Sequence, residues 1–495
     1  MNLASVAHNI AVSRGFEPDF GADVEREVAA MRPPKIDGVS GVRDLRQLPW
    51  SSIDNRESRD LDQVEVAEQL ANGAIRVRIG IADVDLLVPK GSAIDTHANH
   101  NTTSLYTGVV VFPMLPRELS EGMTSLLPDQ DRFAIVIDLV VEEDGRVSSY
   151  DLSRALVRNH AKLVYEEVGA WLEQDGSHHE RSEGSAGSGM QLQTPAFARS
   201  DMTEQLVLQR EAAKRLKEER LRAGALELDT IEARPVTRDG KIVDLAVTRK
   251  NLARDLIEDF MIAANIATAR FLEDHGSSGI RRVVREPQRW ARIVDLARLH
   301  GERLPESPDA RALADFLSRM RAKDAMRFPD LSLSVVKLLG RGEYRLDLPG
   351  KDPGIHFGLA AHDYSHTTAP NRRYADLIQQ RLVKAVLAGA PQPYTNDELA
   401  ALASHATEME DAAQKVERQM RKVVAAGFLQ SRVGQTFDAI VTGESKKGTY
   451  VRLLQPPAEG RVVRNEEGMD VGDRVRVKLI HVDQERGFID FAGVR

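Results

Sequence analysis

The hydrophobic period of this chain changes along its length, and the order of those changes restricts the fold more than any other feature. Between about 46 and 157 the apolar residues run in strand-like stretches: IRVRIGIADVDLLV (75–88), YTGVVVFP (106–113) and RFAIVIDLVVEEDGRV (132–147). From about 201 to 430 the spacing is helical. Leu252, Leu256, Phe260, Ala263 and Ala267 recur on one face, and a second helix is expected from Pro370 to Ala388, with Pro370 in its first turn and Gly389 past its end. Beyond about 433 come TFDAIVTG, GTYVRLL, EGRVVR, DRVRVKLIHVD and GFIDFA, short strands separated by Gly and Asp. Five strands in so short a stretch suit a small OB-fold barrel.

The expected class is α+β. A short helical segment over 1–45, with Val6, Ile10, Val24 and Val28 at helical spacing, ends at Pro33-Pro34. A mixed sheet and helices follow over 46–432, and the barrel occupies 433–495. The segment 174–194, QDGSHHERSEGSAGSGMQLQT, has no hydrophobic period and is read as a flexible surface loop without catalytic residues.

At 495 residues the chain exceeds one ordinary core and suggests about three folding units. It has no cysteine, which excludes disulfides, cysteine zinc sites, iron–sulfur clusters and a thiol nucleophile, and suits a reducing cytoplasm. Neither a leader peptide nor an apolar run of roughly 20 residues is visible. The formal charge of -8 does not announce a nucleic-acid partner, so any basic surface must be local.

The stretch Ser52-Ile53-Asp54-Asn55-Arg56-Glu57-Ser58-Arg59-Asp60-Leu61-Asp62-Gln63 borders predicted strands and is dense in carboxylates. Asp60 and Asp62, two apart, project to one side of an extended chain, and a turn through Asn55 to Ser58 brings Asp54 beside them. Three converging oxygen ligands suit magnesium, and paired ions can serve both oxygens of a phosphodiester displacement. Alone, the cluster reads more readily as a solvated acidic turn with Asp60 or Asp62 in surface ion pairs to Arg56 and Arg59.

A second cluster is Thr367-Thr368-Ala369-Pro370-Asn371-Arg372-Arg373-Tyr374-Ala375-Asp376. Two guanidinium groups at a helix start suit a phosphoryl group being displaced, with Asp376 placed to hold Arg372; a capped surface helix with an internal ion pair is the bland alternative. Tyr106, after the polar run 101–104, suits base stacking, whereas Tyr165 alone reads as a packed helical residue. His362 and His366 are four apart, but the Pro and Thr residues around them argue for a loop rather than a metal site.

In this order these motifs resemble the ribonuclease II and ribonuclease R family, whose catalytic module is the RNB domain. IDNRESRDLDQ is similar to its metal-binding aspartate motif, IADVDLLVPKGSAID to the strand motif after it, and TSLYTGVVVFPMLPRELSEGMTSLLP to its signature around a base-contacting tyrosine. NLARDLIEDFMIAANIATARFL and TTAPNRRYADLIQQRLVKAV follow in family order, so the resemblance covers roughly 46–430. It implies a processive 3′-to-5′ exoribonuclease that threads single-stranded RNA to a two-magnesium site and releases nucleoside 5′-monophosphates. Asp54, Asp60 and Asp62 would hold metal or the substrate end, with Asp62 and Arg372 catalytic. Tyr106 would stack on a base, Tyr165 line the cleft, and Arg373, Glu258 and Glu417 lie near RNA. The tail from 434 resembles the RNA-binding OB-fold named after ribosomal protein S1, with Phe437 and Tyr450 as stacking candidates and Lys446, Lys447 and Arg452 as phosphate contacts.

Gln63 stands where the family has a fourth aspartate, Leu228 where it has a base-clamping phenylalanine, and the first 45 residues cannot hold cold-shock barrels. The helical prefix is therefore expected to cover that surface and leave a more open entrance, admitting RNAs with short overhangs. The expectation is a cytoplasmic, monomeric RNA hydrolase with magnesium, no organic cofactor and no membrane association. Gln63 keeps open an RNA-binding protein that has lost the chemistry. A magnesium phosphoesterase of small nucleotides is a third reading, which leaves the barrel unexplained.

Overall fold

The computed structural model describes residues 2–36, 41–181, 200–229, 232–238, 241–248, 250–445, 448–469 and 472–494. The prefix is helical, as its spacing predicts: α1 (Leu3–Ser13) is capped by the Asn2 side chain, and α2 (Ala22–Ala30) follows. Next come β1 (Val42–Asp44), β2 (Ser51–Asp54), β3 (Gln63–Gln69), β4 (Ile75–Ala82), α3 (Ala93–Asn101), β5 (Leu105–Tyr106), β6 (Val111–Phe112), β7 (Asp131–Val141), β8 (Val147–Arg158) and β9 (Ala161–Val164). The large sheet has the order β1-β8-β7-β4-β3-β2-β9. It is mixed, because β1–β8 and β2–β9 pair parallel and its other pairs antiparallel. The stretch 106–113, expected as one strand, is a small β5–β6 hairpin, because Gly108 at φ 83° lets the chain reverse.

Helices α4 (Tyr165–Arg181) and α5 (Ser200–Arg222) come next. Helix α4 continues through Arg181, so the loop expected from 174 does not begin there. The remainder of the loop expected over 174–194 lies outside the described residues. The hairpin β10 (Glu232–Arg238) and β11 (Lys241–Thr248) interrupts a region read as helical. Beyond it lie α6 (Leu252–Asp274), β12 (Gly279–Val283), α7 (Trp290–Leu299), α8 (Ala310–Lys323), α9 (Phe328–Leu339), and β13 (Glu343–Asp347), which pairs with β12. Helix α6 buries Leu256, Phe260, Ala263 and Ala267 against the sheet core. Leu228 packs half-buried on the separate core of α7–α9.

Helices α10 (Tyr374–Leu387) and α11 (Asn396–Leu429) lead to the barrel of β14 (Thr436–Ser445), β15 (Gly448–Leu453), β16 (Glu459–Arg464), β17 (Arg474–Asp483) and β18 (Phe488–Val494), which closes in the order β14-β15-β16-β18-β17. The expected five-stranded barrel is present. Its core is continuous with α1 and the second half of α11: Ala7, Ile10 and Ala11 share one cluster with Val416, Met420, Val451 and Phe491.

Helix α10 begins at Tyr374 rather than Pro370, and Arg373 is its extended N-cap at φ -138°, ψ 122°. The cause is pairing across the chain. Arg373 bridges Thr103, the Arg372 carbonyl accepts the Ser104 N–H at 3.0 Å, and the Tyr374 N–H donates to Thr102 at 2.8 Å. Two turns further, buried Arg381 donates to Asp85 (2.9 Å), the Tyr394 hydroxyl (2.7 Å) and the Val88 carbonyl (2.6 Å), and pairs with Asp95 at 2.7 Å. Removing that guanidinium takes from buried Asp95 its cation, while Asp85 keeps Lys384 at 2.8 Å, so Arg381→Met is expected to lower stability by about 3–5 kcal/mol, read as a fall in the urea midpoint. An unchanged midpoint would show that the cluster does not anchor α10.

Candidate active site at the meeting of two loops

The acidic stretch forms the turn between β2 and β3. Asp54 ends β2, and its Oδ1 accepts the Asn55 N–H (2.6 Å) and the Ser58 hydroxyl (2.8 Å), closing the turn read from the sequence. Ser125 Oγ then holds the returning chain by donating to the Arg59 carbonyl (2.5 Å) and accepting the Leu61 N–H (3.0 Å). Asp62 is 2% exposed, with Oδ1 accepting the Asn371 N–H at 3.0 Å and Oδ2 3.5 Å from Arg372 Nε. Asp60 Oδ2 accepts the Tyr106 hydroxyl at 3.2 Å, and Tyr106 as a residue is 41% exposed. The structure thus brings Asp54, Asp60, Asp62, Tyr106 and Arg372 together. The solvated-turn alternative fails, because Asp62 is buried and Arg56 pairs with Glu167 instead.

Burial dominates the electrostatics. It lifts the Asp62 carboxyl to about 7, against the charge of Arg372 and the Asn371 N–H, with Asp60 and Asp376 adding to the rise. Burial also raises Asp54, with Asn55, Ser58 and Arg372 opposing it and Asp60 adding to it. The Tyr106 and Tyr165 hydroxyls are held far above their usual range, chiefly by burial.

Asp376 secures Arg373, not Arg372. It receives Arg373 through Nε at 2.9 Å and Nη2 at 2.7 Å, and also accepts the Ala369 N–H at 2.7 Å. As N-cap, Arg373 is turned toward the first helical turn, while Arg372, one residue earlier, faces the acidic turn with its side chain 43% exposed.

Tyr165 reaches the turn through strand register, because Asp54 pairs with Val164 in the parallel β2–β9 ladder. Arg254 was not singled out from the sequence. Its guanidinium lies 4.3 Å from the Tyr165 ring centroid and donates to Asn55 Oδ1 (3.1 Å) and Glu166 (2.9 Å). Glu65 was missed too. It is fully buried on β3, neither of its oxygens has a hydrogen-bond partner, and burial followed by Asp54 pushes it well above the carboxylate range. The available signal was a glutamate inside the apolar run QVEVAEQ. Glu258 is exposed and paired with Lys250 at 3.0 Å, and Glu417 lies on α11. In the barrel Phe437 is half-buried against the core, Tyr450 is 36% exposed, and Arg452 is taken by Asp330 at 2.5 Å. Lys446 and Lys447 lie outside the described residues. His366 is a half-buried loop residue bonded to the Tyr344 hydroxyl at 2.8 Å.

Among the described residues no three acidic or histidine side chains close into a ready-made metal cage, contrary to the converging trio expected. Each aspartate is turned partly toward its own donor: Asn55 and Ser58, Tyr106, or Asn371. Asp54 Oδ2 and Asp60 Oδ1 nevertheless accept nothing from any described residue, and Asp62 Oδ2 meets only Arg372. Carboxylate oxygens without a protein donor fit a magnesium ion, which keeps water and substrate phosphate in its shell.

A family model described as RNB domain matches residues 42–389, and one described as RNase II-type exonuclease C-terminal S1 domain matches residues 435–494. The chain is 29% identical to Ribonuclease R of Thermotoga maritima over 96% of its own length and 68% of that protein. It is 26% identical to Ribonuclease R 1 of Lactococcus lactis over 92% of its length and 56% of that protein. It therefore spans only about half to two thirds of these relatives. A solved structure of Mycoplasma genitalium RNase R in complex with ribose methylated single-stranded RNA superposes with TM-score 0.87 at 20% identity, covering 100% of this chain and 78% of that one, a likeness of fold.

The shifted carboxyl has a measurable consequence. With burial lifting the folded Asp62 carboxyl to about 7 from its ordinary 3.8, the folded state binds more protons between those values and stability falls as pH rises. In metal-free protein the loss should be at most about 4 kcal/mol and essentially complete by about pH 8. Asp259 titrates in the same window, so the diagnostic is the difference between wild type and Asp62→Asn in urea midpoints with EDTA at about pH 5 and pH 8. Identical pH dependence in both proteins would contradict the assignment.

Proposed function

The chain belongs to the RNB-domain family, and from that membership we propose that it hydrolyses single-stranded RNA processively from the 3′ end to nucleoside 5′-monophosphates. The observation that carries this reading is Arg372, whose half-exposed guanidinium stands 3.5 Å from Asp62 at the edge of the acidic turn. A phosphodiester entering there meets a cation on one side and carboxylates on the other. The guanidinium is placed to stabilise charge developing on the phosphoryl oxygens, and Asp376 fixes the adjoining Arg373 so that Arg372 cannot swing with it. Tyr106, half-exposed with its hydroxyl pinned to Asp60, offers a stacking face for a base near the 3′ end. Tyr165 under Arg254 forms the opposite wall, as a rigid aromatic surface rather than a titrating group.

Asp54, Asp60 and Asp62 would hold magnesium, which when bound supplies positive charge opposite the phosphate and activates water for attack. No protein nucleophile is needed. RNA-bound structures of Mycoplasma genitalium RNase R, with single strands and with duplex, support an RNA substrate, and the terminal barrel suits the same ligand. The proposed setting is a cytoplasmic monomer. Gln63 supports a second reading, an RNA-binding protein without turnover, because an amide oxygen is a weaker magnesium ligand than a carboxylate.

A 5′-labelled single-stranded RNA incubated with magnesium separates the two. We expect progressive shortening to a small 5′ product, abolished by EDTA and by Asp62→Asn, and slowed roughly 10²–10³-fold in Arg372→Ala. Calorimetric titration with Mn²⁺ should show binding that Asp54→Asn weakens. Intact RNA bound tightly by the wild type would favour the second reading.

A further inference from the structure

A groove of about 460 Å³, sharing no residue with the acidic turn, opens where α1, α11 and the β17–β18 hairpin meet. Its lining is basic: Arg14 from the end of α1, Lys415, Arg418 and Lys422 from α11, and Arg486 from the hairpin, against the single acid Glu485. Lys415, Arg418 and Lys422 fall at i, i+3 and i+7, a row on one helix face about 10 Å long. Arg14 and those three form no ion pair with any described residue, although most arginines elsewhere on this chain face a carboxylate. Phe488 stands in the same groove 54% exposed, a large aromatic surface in water.

The groove is built rigidly. A Cβ on Gly487 would lie 2.7 Å from Lys422 Cβ and 2.8 Å from the Val423 nitrogen, so the hairpin sits directly on α11. A Cβ on Gly427 would meet Gln484 Nε2 at 2.5 Å, a second close approach between the same elements. Helix α1 is held to α11 by Ala7, Ile10 and Ala11.

We propose that this groove binds the backbone of single-stranded RNA outside the active-site cleft, with Lys415, Arg418 and Lys422 on successive phosphates and Phe488 beneath a base. Unpaired cations in a row next to an exposed ring match a polyanion with stackable faces. The inference rests on the exonuclease reading for its substrate, but its test does not need turnover. In EDTA, a long RNA of about 40 nucleotides and a short one of about 8 are titrated by fluorescence anisotropy against wild type, Lys415→Gln/Arg418→Gln/Lys422→Gln, and Phe488→Ala. A control variant, Arg289→Gln/Arg292→Gln/Arg303→Gln, removes the same charge from exposed positions outside the groove.

The groove variant should bind the long RNA about tenfold or more weakly, with its log–log salt slope reduced by about 2, as expected for some three phosphate contacts to a single strand. Phe488→Ala should weaken it with the slope unchanged. Short-RNA binding should stay the same in all proteins. Equal loss with both RNAs, or equal loss in groove and control variants, would overturn the proposal, as would unchanged long-RNA binding. If the groove variant loses long RNA as expected while wild type with magnesium cleaves neither RNA, the groove stands and the exonuclease reading falls.

Discussion

Asp62 is a carboxylate held at 2% exposure, and the fold keeps it there by bringing up a segment 309 positions later in the chain. The Asn371 N–H and the Arg372 guanidinium are its partners, and much of the surrounding structure serves to present them. The Thr368-to-Arg373 loop cannot relax into helix, because Arg373 is drawn into an extended bridge with Thr103 and the Arg372 carbonyl is taken by Ser104. The same bridge fixes the strand that carries Tyr106, so Tyr106 and Arg372 are positioned by one set of backbone bonds. Asn265 steadies the loop from behind, its Oδ1 accepting both the N–H and the hydroxyl of Thr367 at 2.8 Å.

Helix α10 extends this arrangement into the core. Its buried face carries Asp376, Gln379, Gln380 and Arg381, residues that ordinarily lie outside. Each closes a polar group left open at an element end: Gln380 donates to Ala82 at the end of β4 and accepts the Asp85 N–H, and Gln379 accepts the Ile280 N–H of β12. Buried polar groups are stable only when fully paired, so this helix specifies one position against the sheet where an apolar face would tolerate several. That is how the two loops of the candidate site are held in register.

The sequence made legible whatever depends on neighbours along the chain. Periodicity placed α6 and the five barrel strands, and the short polar turn after Asp54 followed from Asn55 and Ser58. It could not place partners met through space. Pro370 followed by helix-forming residues looks like a helix start, and only the pairing with Thr103 moves that start to Tyr374. Asp376 is spaced to meet either arginine, and the N-cap geometry of Arg373 decides between them. Arg254 looks like one charged residue of an amphipathic helix until strand register sets Tyr165 beneath it. Glu65 gives only a faint local sign, a glutamate between valines in QVEVAEQ, because that alternation reads as a half-exposed strand while the fold covers both of its faces.

The carboxylates of the site act against the stability of the fold that builds it. Burial raises Asp54, Asp62 and Glu65 alike, the signature of charges removed from water with too few partners. With Glu65 driven toward its neutral form and an amide at position 63, the negative charge facing Arg372 is confined to Asp54, Asp60 and Asp62. A divalent ion is held less strongly by fewer charges, so for the function proposed here the substrate phosphate completes both the shell and the charge balance. The same step offsets the cost of burying the carboxylates, which couples a relaxed, fully compensated site to the presence of RNA rather than to the protein alone.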